Sequence, residues 1–175
     1  MWKGRSARLV STVIGATALS IVSAAAAASF EVSSYSSAPG GKEIEAGDYD
    51  AAIALASSPM WRRYAEEELV AATNLCVAYT VKSEFKAAEG ACAEALTLAR
   101  RADKATGARL RGNLATARAL TNRGVLRAVT GDSLSAARDF RAAERLGGEW
   151  DAPRRNLAYL ESSPEYRVAM TQDRN

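Results

Sequence analysis

The sequence predicts an all-α protein of antiparallel helix hairpins, and three observations predict it. Apolar residues recur at helical spacing through the central segments, and no segment alternates as a strand would. Apolar content is 48%, yet much of it is Ala and aromatics make up only 7%, the composition of helices whose backbones approach closely. A hairpin-sized block also recurs along the chain, with small residues at equivalent places.

Residues 1–28 read as a secretory signal peptide. Lys3, Arg5 and Arg8 open the chain without an acid, a mostly apolar run follows from Leu9 to Val22, and small residues close it. Cleavage is expected near Ala28, giving an exported, periplasmic protein with no membrane attachment. The alternative is a retained anchor over 9–28, which is just long enough to span a bilayer. Residues 29–42 are expected to be a flexible lead-in, because Ser33–Gly41 is rich in Ser, Pro and Gly and nothing apolar and periodic anchors it. The helical domain is expected over 43–162 and a tail over 163–175.

Within that domain, Gly47–Ser58 reads as a second helix without a first. A helix is predicted over Met60–Lys82, with Leu69, Val70, Thr73, Val77 and Val81 at helical spacing and Glu66, Glu67 and Glu68 on an exposed face. Phe85–Arg101 is its partner, ending on Arg100 and Arg101, where the helix dipole favours cations. Asp103–Gly112 is a connection or an extra turn. Leu114–Thr130 and Leu134–Leu146 form the next hairpin across Gly131-Asp132, ended by Gly147-Gly148. Pro153–Ser162 is the closing helix. Pro39, Pro59, Pro153 and Pro164 all fall at predicted breaks.

The repeat is read by setting Asn122–Ala143 beneath Asn74–Ala95, which aligns Ala88 with Ala136 and Ala95 with Ala143. A third, partial copy begins Gly47-Asp48-Tyr49-Asp50-Ala51-Ala52. Ala52, Ala88 and Ala136 are separated by 36 and 48 residues. In the last copy Leu120, Gly124, Gly131, Ala136, Phe140 and Ala143, and in the middle copy Leu75, Cys76, Tyr79, Phe85, Ala88, Cys92 and Ala95, fall on a spaced pattern. In it the chain resembles the tetratricopeptide-repeat (TPR) family over roughly Glu43–Ser162, with Cys76 in place of the usual Gly and Cys92 in place of the usual aromatic. The resemblance implies hairpins stacked as a short right-handed superhelix.

Function is bounded first by what is missing. The chain has no His, which removes the usual general base, the Ser/His and Cys/His nucleophile systems and the commonest metal ligand. No phosphate-cradling Gly-rich motif is present. The expectation is a non-enzymatic protein with no cofactor, no metal and no catalytic residue. The net charge of +3 comes from the first 28 residues, so the calculated pI of about 9.0 does not argue for nucleic acid. Residues 29–98 carry a net charge of −6 and residues 99–175 a net of +6. That split leaves open a structural homo-oligomer built from acidic and basic halves.

The resemblance implies more. The first helices of TPR hairpins line a concave groove, where an Asn commonly holds the backbone of an extended peptide. Asn74, Asn122 and Asn156 match that Asn, with Arg118 one turn before Asn122 and Arg155 beside Asn156. Such a ladder suits an extended or acidic-ended peptide, because Arg pairs well with carboxylates; the alternative is that these Asn cap or bridge helices for packing alone. The implied function is a protein-interaction adaptor or scaffold of the cell envelope, its partner a protein or peptide. Cys76 and Cys92 fall on the two helices of one hairpin, at places where the family's helices face inward. They are either buried thiols or, in an oxidising compartment, a disulfide.

Overall fold

The computed structural model describes residues 30–62, 64–105 and 113–173, and all regular structure among them is helical. The signal-peptide reading of 1–28 and most of the 102–113 connection lie outside the described residues. Among the described residues eight α-helices follow in order: α1 Gly41–Ala46, α2 Tyr49–Ala56, α3 Ala65–Val81, α4 Phe85–Ala105, α5 Leu114–Val129, α6 Ser133–Gly147, α7 Ala152–Ser162 and α8 Pro164–Gln172. A 3-10 turn, Pro59–Arg62, precedes α3. Helices adjacent in sequence pack on one another, most extensively α3 on α4 and α5 on α6, and α4 on α5 joins the two hairpins.

The same turn closes three hairpins. α1, α3 and α5 each end in a residue of positive φ: Gly47 (78°), Ser83 (61°) and Gly131 (89°). The following amide then reaches back to the last turn, from Asp48 N to Glu43 O (2.8 Å), Glu84 N to Tyr79 O (2.9 Å) and Asp132 N to Arg127 O (2.8 Å). Asp48 and Asp132 next cap the incoming helix, accepting from Ala51 N (3.0 Å) and Ser135 N (3.2 Å).

Small residues set the spacing between helices. Ala52, Ala88, Ala136 and Ala143 are completely buried, at the repeat positions read from the sequence. One core cluster joins α3 to α6 through Leu69, Leu96, Ala99, Ala117, Leu120 and Ala143. A second joins α5, α6, α7 and α8 through Val125, Phe140, Leu160 and Tyr166, and Phe30 and Val32 pack against it. A third surrounds the disulfide between Cys76 and Cys92, whose Cα atoms are 4.7 Å apart.

Four expectations need correction. The partial first copy has a short first helix, α1, because Gly41 lets the chain pass against Tyr35, whose carbonyl oxygen a Cβ would strike. The helix predicted from Met60 begins at Ala65, after the 3-10 turn. α4 runs on to Ala105, with Asp103 accepting from Thr116 N (2.8 Å) at the start of α5. The tail over 163–175 holds α8, with Ser163 accepting from Tyr166 N and Pro164 in the first turn, and Tyr166 is buried in the second core cluster.

Candidate peptide-binding site

Three buried asparagines stand on the first helices of successive hairpins: Asn74 on α3, Asn122 on α5 and Asn156 on α7, exposed by 0%, 1% and 2%. The segment leading into α1 lies across them, and each side-chain amide binds both backbone groups of one residue of that segment. Glu31 N donates to Asn156 Oδ1 (2.7 Å), and Asn156 Nδ2 donates to Glu31 O (2.8 Å). Ser33 N donates to Asn122 Oδ1 (2.8 Å), and Asn122 Nδ2 donates to Ser33 O (2.8 Å). Tyr35 N donates to Asn74 Oδ1 (2.8 Å), while Asn74 Nδ2 reaches Tyr35 O (3.1 Å) and Pro39 O (3.0 Å).

The register is diagnostic. Residues 31, 33 and 35 are held and the residues between them are not, a step of two that belongs to an extended chain. In such a chain the N–H and C=O of alternate residues face one edge, and an Asn amide supplies one acceptor and one donor to match them. The segment advances from α7 to α5 to α3, against the order of the hairpins, and then turns into α1. Thr73 and Thr121, each just before a ladder Asn, are also buried, and their hydroxyls donate to Leu69 O (2.8 Å) and Ala117 O (2.9 Å) one turn back.

Side chains add further contacts to the backbone clamp. Arg155 forms a two-pronged ion pair with Glu31, through Nε to Oε1 and Nη2 to Oε2 (2.6 Å). That hydrogen bonding holds the Glu31 carboxyl below its usual range, against the opposing effect of partial burial. Phe30 stacks on Phe140 with centroids 6.0 Å apart and meets Tyr159 edge-on at 4.8 Å. Arg118 places its guanidinium 4.9 Å from the centre of the Tyr35 ring. Its Nε is buried without a hydrogen-bond partner among the described residues.

All five residues singled out for the groove, Asn74, Arg118, Asn122, Arg155 and Asn156, thus touch one extended segment. The occupant is what sequence reasoning missed. The stretch read as a flexible lead-in is held at Glu31, Ser33 and Tyr35 through backbone groups, which no side-chain pattern records. The available signal was Phe30-Glu31-Val32, an aromatic, an acid and a β-branched residue in an otherwise Ser-rich stretch.

Among the described residues no group of three or more His, Cys, Asp or Glu could hold a metal ion, and no helix is long and apolar enough to cross a membrane. Asp139, the buried carboxylate of the hairpin α5–α6, is satisfied by Arg123 (2.8 and 2.7 Å) and Arg127 (2.7 Å) and serves packing between the two helices. No family model matches the chain, and no curated protein or solved structure matches it.

Proposed function

We propose that this chain is a non-enzymatic protein-interaction adaptor of the tetratricopeptide type, exported to the cell envelope, that captures extended peptide segments along the Asn74–Asn122–Asn156 ladder. One observation carries the reading: the three Asn clamp both the N–H and the C=O of three alternate residues, one residue each, in the segment they bind. A clamp on backbone groups works for any extended chain free of Pro at the clamped positions. The site suits capture rather than chemistry, because its polar groups are amides and guanidiniums, which recognise by hydrogen bonding and do not exchange protons near neutral pH. The Cys76–Cys92 disulfide is compatible with export.

The chain's own segment fills this site in cis. A short tether gives an effective concentration on the order of millimolar, so an outside peptide meets a largely closed groove. The test therefore weakens the tenant first. In the full-length chain, Phe30→Ala/Glu31→Ala/Tyr35→Ala removes its side-chain anchors while leaving the groove intact. A labelled peptide of residues 30–39 is expected to bind this variant in fluorescence anisotropy, at least tenfold tighter than it binds the wild type. Adding Asn74→Ala and Asn122→Ala is expected to abolish binding with helical circular dichroism retained. Absence of binding to a folded triple variant at millimolar peptide defeats the proposal and leaves the segment as a structural strap.

A further inference from the structure

The proposed adaptor reading leaves open which peptides could enter against a tethered competitor, and the occupied groove supplies the answer as an imprint. At the α7 end, the Phe140 and Tyr159 rings receive an aromatic side chain, and the next position faces Arg155. Val32 then packs on the apolar cluster of α5, α6 and α7. At the α3 end the fit is incomplete. Arg118 meets only the face of the Tyr35 ring, and its buried Nε has no acceptor among the described residues. A Tyr ring offers a guanidinium a π-face but no acceptor in line with Nε, whereas a carboxylate accepts from a guanidinium through two parallel bonds. The resident segment thus satisfies one of the two arginines of the groove and leaves the other short of an acceptor.

We infer that the natural occupant in trans is an extended peptide with an aromatic residue, a carboxylate directly after it and a second carboxylate four residues further on, so that Arg155 and Arg118 are both paired. The inference rests on the groove binding peptides at all, and it adds the side-chain pattern. It also explains how a free peptide gains on a tethered one. The second ion pair compensates for part of the effective concentration that the tether gives the resident segment. Position 35 is close enough for this exchange, because the Tyr35 ring centre lies 4.9 Å from the guanidinium carbon and a Glu side chain in an extended chain reaches a similar depth.

The experiment uses the full-length Phe30→Ala/Glu31→Ala/Tyr35→Ala protein and four labelled peptides of residues 30–39: the native sequence and its Tyr35→Glu, Phe30→Ala and Glu31→Gln variants. The Tyr35→Glu peptide is expected to bind about tenfold tighter than the native one, as a charge-assisted hydrogen bond to a buried donor predicts. Loss of the aromatic is expected to weaken binding at least tenfold, and loss of the first carboxylate about threefold. Introducing Arg118→Gln into the protein is expected to erase the advantage of Tyr35→Glu while leaving the penalty for Phe30→Ala in place. If the native and Tyr35→Glu peptides bind equally, or the latter more weakly, the two-carboxylate pattern is overturned while peptide capture stands. If none of the four binds the folded protein, capture itself falls and the pattern with it.

Discussion

In the hairpin α5–α6, Gly124 faces Phe140, and a Cβ added at Gly124 would stand 2.5 Å from the ring. In α3–α4, 48 residues earlier in the chain, the corresponding positions are Cys76 and Cys92, and they are joined by a disulfide. One hairpin fills its centre with a large ring against a bare backbone, and the other closes the same gap with two sulfur atoms. The outer flank differs as well. Arg123, Arg127 and the buried Asp139 form an ion-paired triad in the last hairpin. Their counterparts Leu75, Tyr79 and Ala91 instead line a cavity of about 300 Å³ between α2, α3 and α4. Both hairpins nevertheless present an Asn at the same place, clamping the N–H and the C=O of one residue of the segment. The repeat fixes where helices lie and what the ladder face shows, while the chemistry that holds each hairpin shut is free to vary.

If the disulfide replaces the Gly–Phe contact, removing it is the most damaging way to separate the two hairpins. The bond closes a loop between residues 16 apart in sequence, for which the chain-entropy model gives about 3 kcal/mol of stabilisation. Cys76→Ala/Cys92→Ala is expected to lower unfolding free energy in urea by about that amount, with α3–α4 losing amide protection before α5–α6. Reductant should reproduce the effect in the wild type and leave the double variant unchanged. A loss below about 1 kcal/mol in the double variant breaks the comparison, since alanine packing alone would then be holding the hairpin.

A smaller effect is expected from giving the middle hairpin the chemistry of the last one. Cys76→Gly/Cys92→Phe loses the cross-link and sets one Gly in a helix. It regains roughly 1.5–3 kcal/mol from burial of the ring. The net cost is expected to be about 1–2.5 kcal/mol, with no response to reductant, by the same urea titration. A cost above 3 kcal/mol shows that α3 and α4 cannot open around a ring, so that the two hairpins differ in backbone spacing as well as in chemistry.

What the sequence made legible follows the same division. Ala88 and Ala136 could be aligned because small residues at helix contacts leave a regular mark, and Asn74, Asn122 and Asn156 could be aligned because they keep that register. Cys76 and Cys92 could be paired as candidates because each stands where the other copy has Gly124 or Phe140. The seating of residues 30–39 was not legible, since hydrogen bonds from Glu31, Ser33 and Tyr35 use backbone groups that every residue has. Helix α1 was hidden by Gly40 and Gly41, which look like loop residues and serve close approach to Ala52 and Tyr35. Helix α8 did have a signal, Ser163 followed by Pro164, a capping residue and a first-turn proline; its short apolar pattern, Tyr166, Val168 and Met170, gave that signal little support.

The mildest test concerns the turns. Gly131 and Gly47 adopt positive φ at no steric cost, but the middle hairpin makes the same turn with Ser83 at φ 61°. A left-handed conformation costs an L-residue with a Cβ roughly 1–2 kcal/mol, and a glycine gives back roughly 0.4–1 kcal/mol of that through the freedom it adds to the unfolded chain. Ser83→Gly is therefore expected to stabilise the protein by about 0.5–1 kcal/mol, raising Tm by about 1–4 °C in a chain of this size. The reciprocal Gly131→Ser is expected to lower Tm by a similar amount. Neither turn touches the Asn ladder, so peptide binding should be unchanged in both. If Ser83→Gly leaves Tm where it was or lowers it, Ser83 is stabilising its turn in a way the two glycine turns do not need. The middle hairpin would then differ from its neighbours at the turn as well as at its centre.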